Sequence, residues 1–100
     1  MITKKYLKSK PLCKVTFDLG ADAVTDAKNV MLVGEFNNWD TTATPMKKSK
    51  SGFKVTLDLE TGKDYEFRYL INDEKWENDW NADTYVPNNL TFEENSVVTL

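Results

Sequence analysis

The sequence predicts an all-β protein, a single antiparallel β-sandwich of about seven short strands. Three observations predict it: polar and apolar residues alternate along several segments, turn-forming residues recur at short intervals, and no segment has a convincing amphipathic-helix pattern. Alternation with a period of two places one face of a strand on a core and the other in water. Short strands at this spacing are typical of an immunoglobulin-like fold.

The alternation is clearest in segments 13–19, 53–60 and 65–71, whose odd-numbered residues are apolar. Segment 30–36 is almost continuously apolar, as expected of a strand buried inside a sheet. Two shorter strands are predicted after these segments, at residues 75–80 and residues 95–100. Turn-forming residues separate these segments, namely Gly20, Asn37-Asn38, Ser51-Gly52, Thr61-Gly62, Asn72-Asp73 and Pro87-Asn88-Asn89.

Composition excludes several classes of protein. The 40% apolar and 29% charged residues exclude intrinsic disorder, and no apolar stretch approaches the ~20 residues of a membrane helix. The sequence has no His and a single Cys, Cys13, so it cannot supply the usual zinc sites or Ser-His and Cys-His nucleophiles. These absences argue against an enzyme, and we expect no cofactor.

Charge is distributed unevenly along the chain. Residues 1–14 hold five lysines and no acid, whereas the rest carries eight basic and sixteen acidic side chains, a net charge of −8. We expect residues 1–11 to be a basic, mobile N-terminal segment and residues 12–100 to form the single domain. The acidic remainder of the chain would repel nucleic acid. The lysines are not followed by the apolar run that a signal peptide requires. The predicted location is cytoplasmic, without a membrane partner.

The three tryptophans, Trp39, Trp76 and Trp80, all lie beside turn residues. The alternating segments already supply a core of Val, Leu, Phe and Ile, so we expect exposed indoles, which are typical of ligand contacts. An indole can stack on the C–H face of a pyranose, while Asn and Arg side chains bond its hydroxyls. Arg68 lies on the outward face of its predicted strand, where a cross-strand pair with an acid is an equal alternative. Nearby amides that suit such a surface are Asn38, Asn78, Asn81 and Asn95.

Catalysis and calcium binding are the less favoured interpretations of the acidic, Asn-rich segment. A glycosidase needs two carboxylates in a pocket, and the sequence offers candidates but no sign of a pocket: Glu74, Glu77, Asp79 and Asp83. The spacing of Asp79, Asn81 and Asp83 imitates the start of a calcium loop. However, Thr84 stands where that loop needs Gly, and Leu90 stands where it needs Glu.

Three ordered blocks of sequence resemble a known family. Val33–Asp40 reads Val-Gly-Glu-Phe-Asn-Asn-Trp-Asp, and Pro45-Met46 follows it. Tyr65–Ile71, with a polar hairpin tip and then Trp76, forms the second block, and Asn95-Ser96-Val97-Val98 the third. Together they resemble carbohydrate-binding module family 48, over about residues 12–100. That family includes the isoamylase N-terminal (early-set) domain and the glycogen-binding domain of the AMP-activated protein kinase beta subunit.

The resemblance implies a site for α-1,4-linked glucan. By position, Trp39 and Trp76 correspond to the two aromatic platforms, Arg68 to a basic residue that bonds glucose hydroxyls, and Asn95 to a sugar-binding Asn. Leu90 corresponds to an apolar residue that wedges into the glucan. The chain departs from the family in its longer hairpin tip and at Trp80, where many members have Pro.

The resemblance also implies a non-catalytic module, similar to a domain of glycoside hydrolase family 13 enzymes. Because no catalytic domain follows residue 100, we expect a free-standing, bacterial-type copy that binds glycogen, starch or maltooligosaccharide. The alternative is a protein-interaction module that packs on a separate glucan-metabolising enzyme and binds no glucan itself. Trp and Tyr also anchor protein interfaces, so the residues alone leave both functions open.

Overall fold

The computed structural model describes residues 2–23, 26–88 and 93–100, which form two antiparallel sheets packed as a sandwich. The first sheet has the order β1 (Ile2–Tyr6), β2 (Leu12–Gly20), β5 (Gly52–Glu60), β4 (Lys47–Ser49). The second has the order β3 (Val30–Gly34), β6 (Asp64–Ile71), β9 (Glu94–Thr99), β8 (Thr84–Pro87), with β7 (Lys75–Glu77) also paired to β6. The predicted sandwich is confirmed, with nine strands in the described residues. No helix in these ranges is long and apolar enough to cross a membrane.

The core forms where the alternating segments turn their apolar faces toward each other. Phe17 of β2 and Phe67 of β6 meet across the two sheets with ring centroids 5.0 Å apart, and the Tyr69 ring lies 5.7 Å from Phe67. Both contacts are edge-on, the arrangement that the quadrupoles of aromatic rings favour. The odd-numbered residues of β2 and β6 thus form the core that the period of two predicts.

Residues 2–6 differ from the expectation of a mobile segment, because they form β1. This strand pairs with β2 from Ile2 opposite Phe17 to Tyr6 opposite Cys13. Ile2 packs against the core, and the Lys4 ammonium donates a 2.6 Å hydrogen bond to Asp83. An edge strand tolerates lysines because its outer side faces water, so the basic composition did not reveal the pairing.

The Lys4–Asp83 pair makes part of the stability dependent on pH. Desolvation is the largest single influence on the pKa of Asp83 and raises it, but hydrogen bonds from Lys4 and from the Thr99 N–H together hold that pKa below its usual value. Such a carboxyl stabilises the fold above its unfolded pKa of about 3.9, and the stabilisation is lost as pH falls through the folded pKa.

We therefore expect Asp83→Asn to lower the free energy of unfolding at pH 7 and to weaken its decline in acid. Urea unfolding at pH 7 and at about pH 2 measures both effects. Asp58→Asn is the control, because Asp58 is an exposed acid of β5 outside this pair. An identical acid dependence in wild type and Asp83→Asn would contradict the prediction.

The chain crosses from one sheet to the other between β3 and β4. Residues 44–46 run beside β3, where Leu32 N–H donates to Thr44 O at 2.9 Å and Met46 N–H to Val30 O at 2.8 Å. The chain then enters β4, which pairs with β5 only over residues 52–54 and sets Lys47 directly opposite Lys54. Among the described strands, none covers the same edge of β5 from residue 55 onward.

The outer face of the second sheet positions the candidate site. Along β6, residues 67 and 69 face the core, so Glu66 and Arg68 face outward by alternation. β7 and β9 pair successively with the same edge of β6, and Trp76 of β7 lies directly opposite Leu70. A second buried cluster of Met31, Val33 and Leu70 underlies this face.

Candidate functional site

A concavity of about 410 Å³ opens on the outer face of the second sheet. Its lining is aromatic and polar: Glu35, Trp39, Thr41, Glu66, Trp76, Asn88 and Asn95. The structure thus brings together Trp39, Trp76 and Asn95 of the five residues predicted for the site. Arg68 lies beneath Trp76, and Leu90 lies outside the described residues. We refer to this concavity as the Trp39–Trp76 site.

Each residue of the Phe-Asn-Asn-Trp segment contributes differently to the position of Trp39. Phe36 packs against the core, with its ring 5.6 Å from Phe17. The Asn37 side chain accepts the Gly34 N–H at 3.1 Å and donates to Leu32 O at 2.8 Å. These contacts close a short 3-10 turn, Glu35–Asn37, at the end of β3. The turn therefore leaves the sheet in a fixed direction.

Two left-handed residues follow this turn. Asn38 and Trp39 have φ angles of 58° and 57°, and the Trp39 N–H donates to Gly34 O at 2.8 Å. Asn tolerates this region of backbone space, but a bulky residue such as Trp is rare in it. Strain of this kind costs on the order of 1–3 kcal/mol and is concentrated at ligand-binding sites. The strained backbone holds an indole that is 38% exposed.

Trp76 rests on Arg68. The guanidinium carbon lies 5.3 Å from the centroid of the Trp76 ring, and an Arg68 N–H forms an ion pair with the Glu93 carboxylate. Arg68 is only 6% exposed, whereas Trp76 is 40% exposed. Arg68 therefore pairs with an acidic residue, which is the alternative to sugar binding that the sequence analysis gave for it. Among the described residues and atoms, the buried Arg68 Nε has no hydrogen-bond partner.

Polar groups at the other end of the site form a connected network. Asn95 Nδ2 donates to Glu66 Oε1 at 3.1 Å, and Asn88 Nδ2 donates to Asn95 Oδ1 at 3.2 Å. Glu35 accepts the Glu66 N–H at 2.7 Å, which links the end of β3 to β6. Sequence reasoning missed Glu35 and Glu66, although Glu66 shares the outward face of β6 with Arg68. The network offers carboxylate and amide groups to a hydroxyl-rich ligand.

Asp79, considered above as a catalytic or calcium-binding acid, has a structural role. It is fully buried and accepts the Tyr69 hydroxyl at 2.6 Å and the Asn81 N–H at 2.7 Å. Its own N–H donates to Ser96 Oγ at 2.9 Å, and its carbonyl accepts the Tyr85 hydroxyl at 2.6 Å. Burial, and then the Asp79 charge, raise the pKa of Tyr69 far above its ordinary value. In the described ranges, no group of three His, Cys, Asp or Glu side chains could hold a metal ion.

Comparison with known proteins finds a family match that covers this site. Residues 24–98 match the model of a family described as the glycogen recognition site of AMP-activated protein kinase, which spans 75 of the 100 residues of the chain. The match includes every described element of the Trp39–Trp76 site. A search of curated proteins finds no significant match.

Proposed function

The chain belongs to the family of the glycogen recognition site of AMP-activated protein kinase, and we propose that it binds α-1,4-linked glucan without catalysis. One observation carries the proposal beyond family membership: two half-exposed indoles, Trp39 and Trp76, line one concavity together with amide and carboxylate groups. This combination suits a ligand with flat C–H faces and a rim of hydroxyls.

In the proposed mode of binding, successive glucose rings stack on Trp39 and Trp76. The hydroxyls then bond Asn95 and Glu66, which already hold each other at 3.1 Å and so are oriented before the ligand arrives. Leu90 is proposed to wedge into the glucan, as the family resemblance implies. Since two indoles enclose little of a sugar chain, we expect a dissociation constant of roughly micromolar to millimolar.

Arg68 has two parts in this proposal. Its guanidinium supports the inner face of Trp76, which fixes the angle at which the indole meets a glucose ring. Arg68 is also proposed to donate a hydrogen bond to a glucose hydroxyl. For this contact, the ion pair between the guanidinium and the Glu93 carboxylate must loosen. The Arg68 Nε is buried without a partner among the described residues, so one N–H of the guanidinium is not committed to the Glu93 ion pair.

Calorimetric titration of maltoheptaose into the protein tests the proposed function. We expect saturable heat, a parallel change in tryptophan fluorescence, and no response to cellohexaose, whose β-linkages present a straight chain to the site. β-Cyclodextrin serves as a second α-linked ligand. If no α-linked ligand gives heat or a spectral change at millimolar concentration, glucan binding is refuted. That result would favour the alternative, a module that packs on a separate glucan-metabolising enzyme.

A further inference from the structure

Trp80 is the most exposed large apolar residue among those described, and it lies outside the Trp39–Trp76 site. Its side chain is 62% exposed. It borders a separate concavity of about 320 Å³, lined by Asp18, Leu19, Gly20, Asp22, Ser51, Trp80 and Asn81. We refer to this concavity as the Trp80 site. It has no lining residue in common with the Trp39–Trp76 site.

The backbone that carries Trp80 is fixed on both sides. Asp79, immediately before it, is held by the hydroxyls of Tyr69 and Tyr85, which bond its carboxylate and its carbonyl at 2.6 Å each. Asn81, immediately after it, donates its N–H to the Asp79 carboxylate at 2.7 Å. The fold therefore anchors the backbone on both sides of an indole that the core does not use. An indole held at the rim of a concavity offers apolar surface that a ligand can cover.

The two sites share the same classes of side chain. Trp80 supplies an indole, Asp18 and Asp22 supply carboxylates, and Asn81 and Ser51 supply an amide and a hydroxyl. In the Trp39–Trp76 site the same groups come from tryptophan, Glu, Asn and Thr. A ligand with a flat apolar face and many hydroxyl donors satisfies both sets of groups.

We propose that the Trp80 site is a second contact for α-glucan, weaker than the first because it offers a single indole. The inference rests on the proposed function, since it assigns the same class of ligand. One glucan polymer that meets both sites is held more firmly than by either site alone, because the second contact forms within the same complex.

Gly20 provides a way to close the Trp80 site without changing its tryptophan. This glycine lines the concavity, and a Cβ built on it meets no atom within 4 Å. The strand therefore has room for a side chain at this position, and we expect Gly20→Leu to fill part of the concavity. In Gly20→Leu the Trp80 signal is still present, so its response to ligand can be observed directly.

Nuclear magnetic resonance of the ¹⁵N-labelled chain tests the inference, because each tryptophan gives one indole N–H signal. Trp→Phe substitutions at the three positions assign the signals, and maltoheptaose is then titrated in. We expect the Trp80 signal to shift saturably, at several-fold higher ligand concentration than those of Trp39 and Trp76. The shift should persist when both of those residues are Ala and disappear in Gly20→Leu.

The outcomes separate this inference from the proposed function. A Trp80 signal that stays unmoved while Trp39 and Trp76 saturate overturns the second site alone. So does an equal response to cellohexaose, or a response to tetramethylammonium without one to maltoheptaose, which would indicate a cation site at the two carboxylates. A response of Trp80 alone overturns the Trp39–Trp76 site and supports the Trp80 site. No response at any tryptophan overturns both.

Discussion

Replacement of Trp39 or Trp76 by Ala is expected to weaken maltoheptaose binding about tenfold to hundredfold. Burial of one large apolar side chain contributes about 1.5–3 kcal/mol, and each 1.4 kcal/mol corresponds to a factor of ten in affinity. Both indoles are exposed, at 38% and 40%, so neither substitution opens a cavity in the core. The dissociation constants from calorimetry measure the effect, and urea unfolding verifies that the fold is retained.

Tyr6→Ala is the matched control for these two variants. Tyr6 is a large aromatic residue, 54% exposed, on β1 of the opposite sheet. Its removal should leave the affinity for maltoheptaose unchanged within twofold. A similar loss in all three variants would mean that the aromatic surface acts nonspecifically. Unchanged affinity in Trp39→Ala and Trp76→Ala would refute the assignment of this site.

Gly34→Ala is expected to destabilise the protein by about 2–3 kcal/mol, the upper part of the range for overpacking a core. A Cβ at this position would lie 2.6 Å from Glu66 O and 2.8 Å from Phe67 Cβ, both in β6. Since backbone atoms cannot yield as a side-chain tip does, β3 and β6 must separate. Gly34 also accepts the Trp39 N–H, so glucan affinity should fall together with the free energy of unfolding.

Gly20→Ala is the corresponding control. Both glycines end a strand, but a Cβ on Gly20 meets open space. We expect its free energy of unfolding to stay within about 0.5 kcal/mol of wild type, as for most surface substitutions. Equal losses in Gly34→Ala and Gly20→Ala would show that the close approach of β3 and β6 has no energetic effect.

The fold was predictable wherever one face of a strand is buried. β2 and β5 alternate in burial along almost their whole length, and β3 is continuously buried, so the sequence records their environment directly. β6 alternates in sequence, but it is buried on both faces from Phe67 to Ile71. β1, β4 and β8 lie at sheet edges or are mostly exposed, so their residues show no such alternation. Their backbone pairing depends on neighbours that are distant in sequence, which local patterns do not describe.

The site was predictable in part, for a similar reason. The exposure of Trp39 and Trp76 could be predicted, because the alternating segments supply enough apolar residues for the core without them. Burial of Arg68 did not, because it depends on Trp76, which covers the guanidinium, and on Glu93, which is 25 residues away along the chain. The rigid support of Trp80 likewise depends on buried hydrogen bonds of Asp79, an acid that the sequence suggests is in water.

The open edge of β5 bears on how the chain behaves at high concentration. From residue 55 onward, no strand in the described part of the chain pairs with this edge of β5, and the half-buried Val55 and Leu57 lie along it. Such an edge is a template on which further molecules can add as strands and grow into fibrous aggregates. Lys47 and Lys54, side by side where the edge opens, confront an incoming edge of the same kind with like charge. Like charge on two approaching edges thus opposes the addition of further molecules.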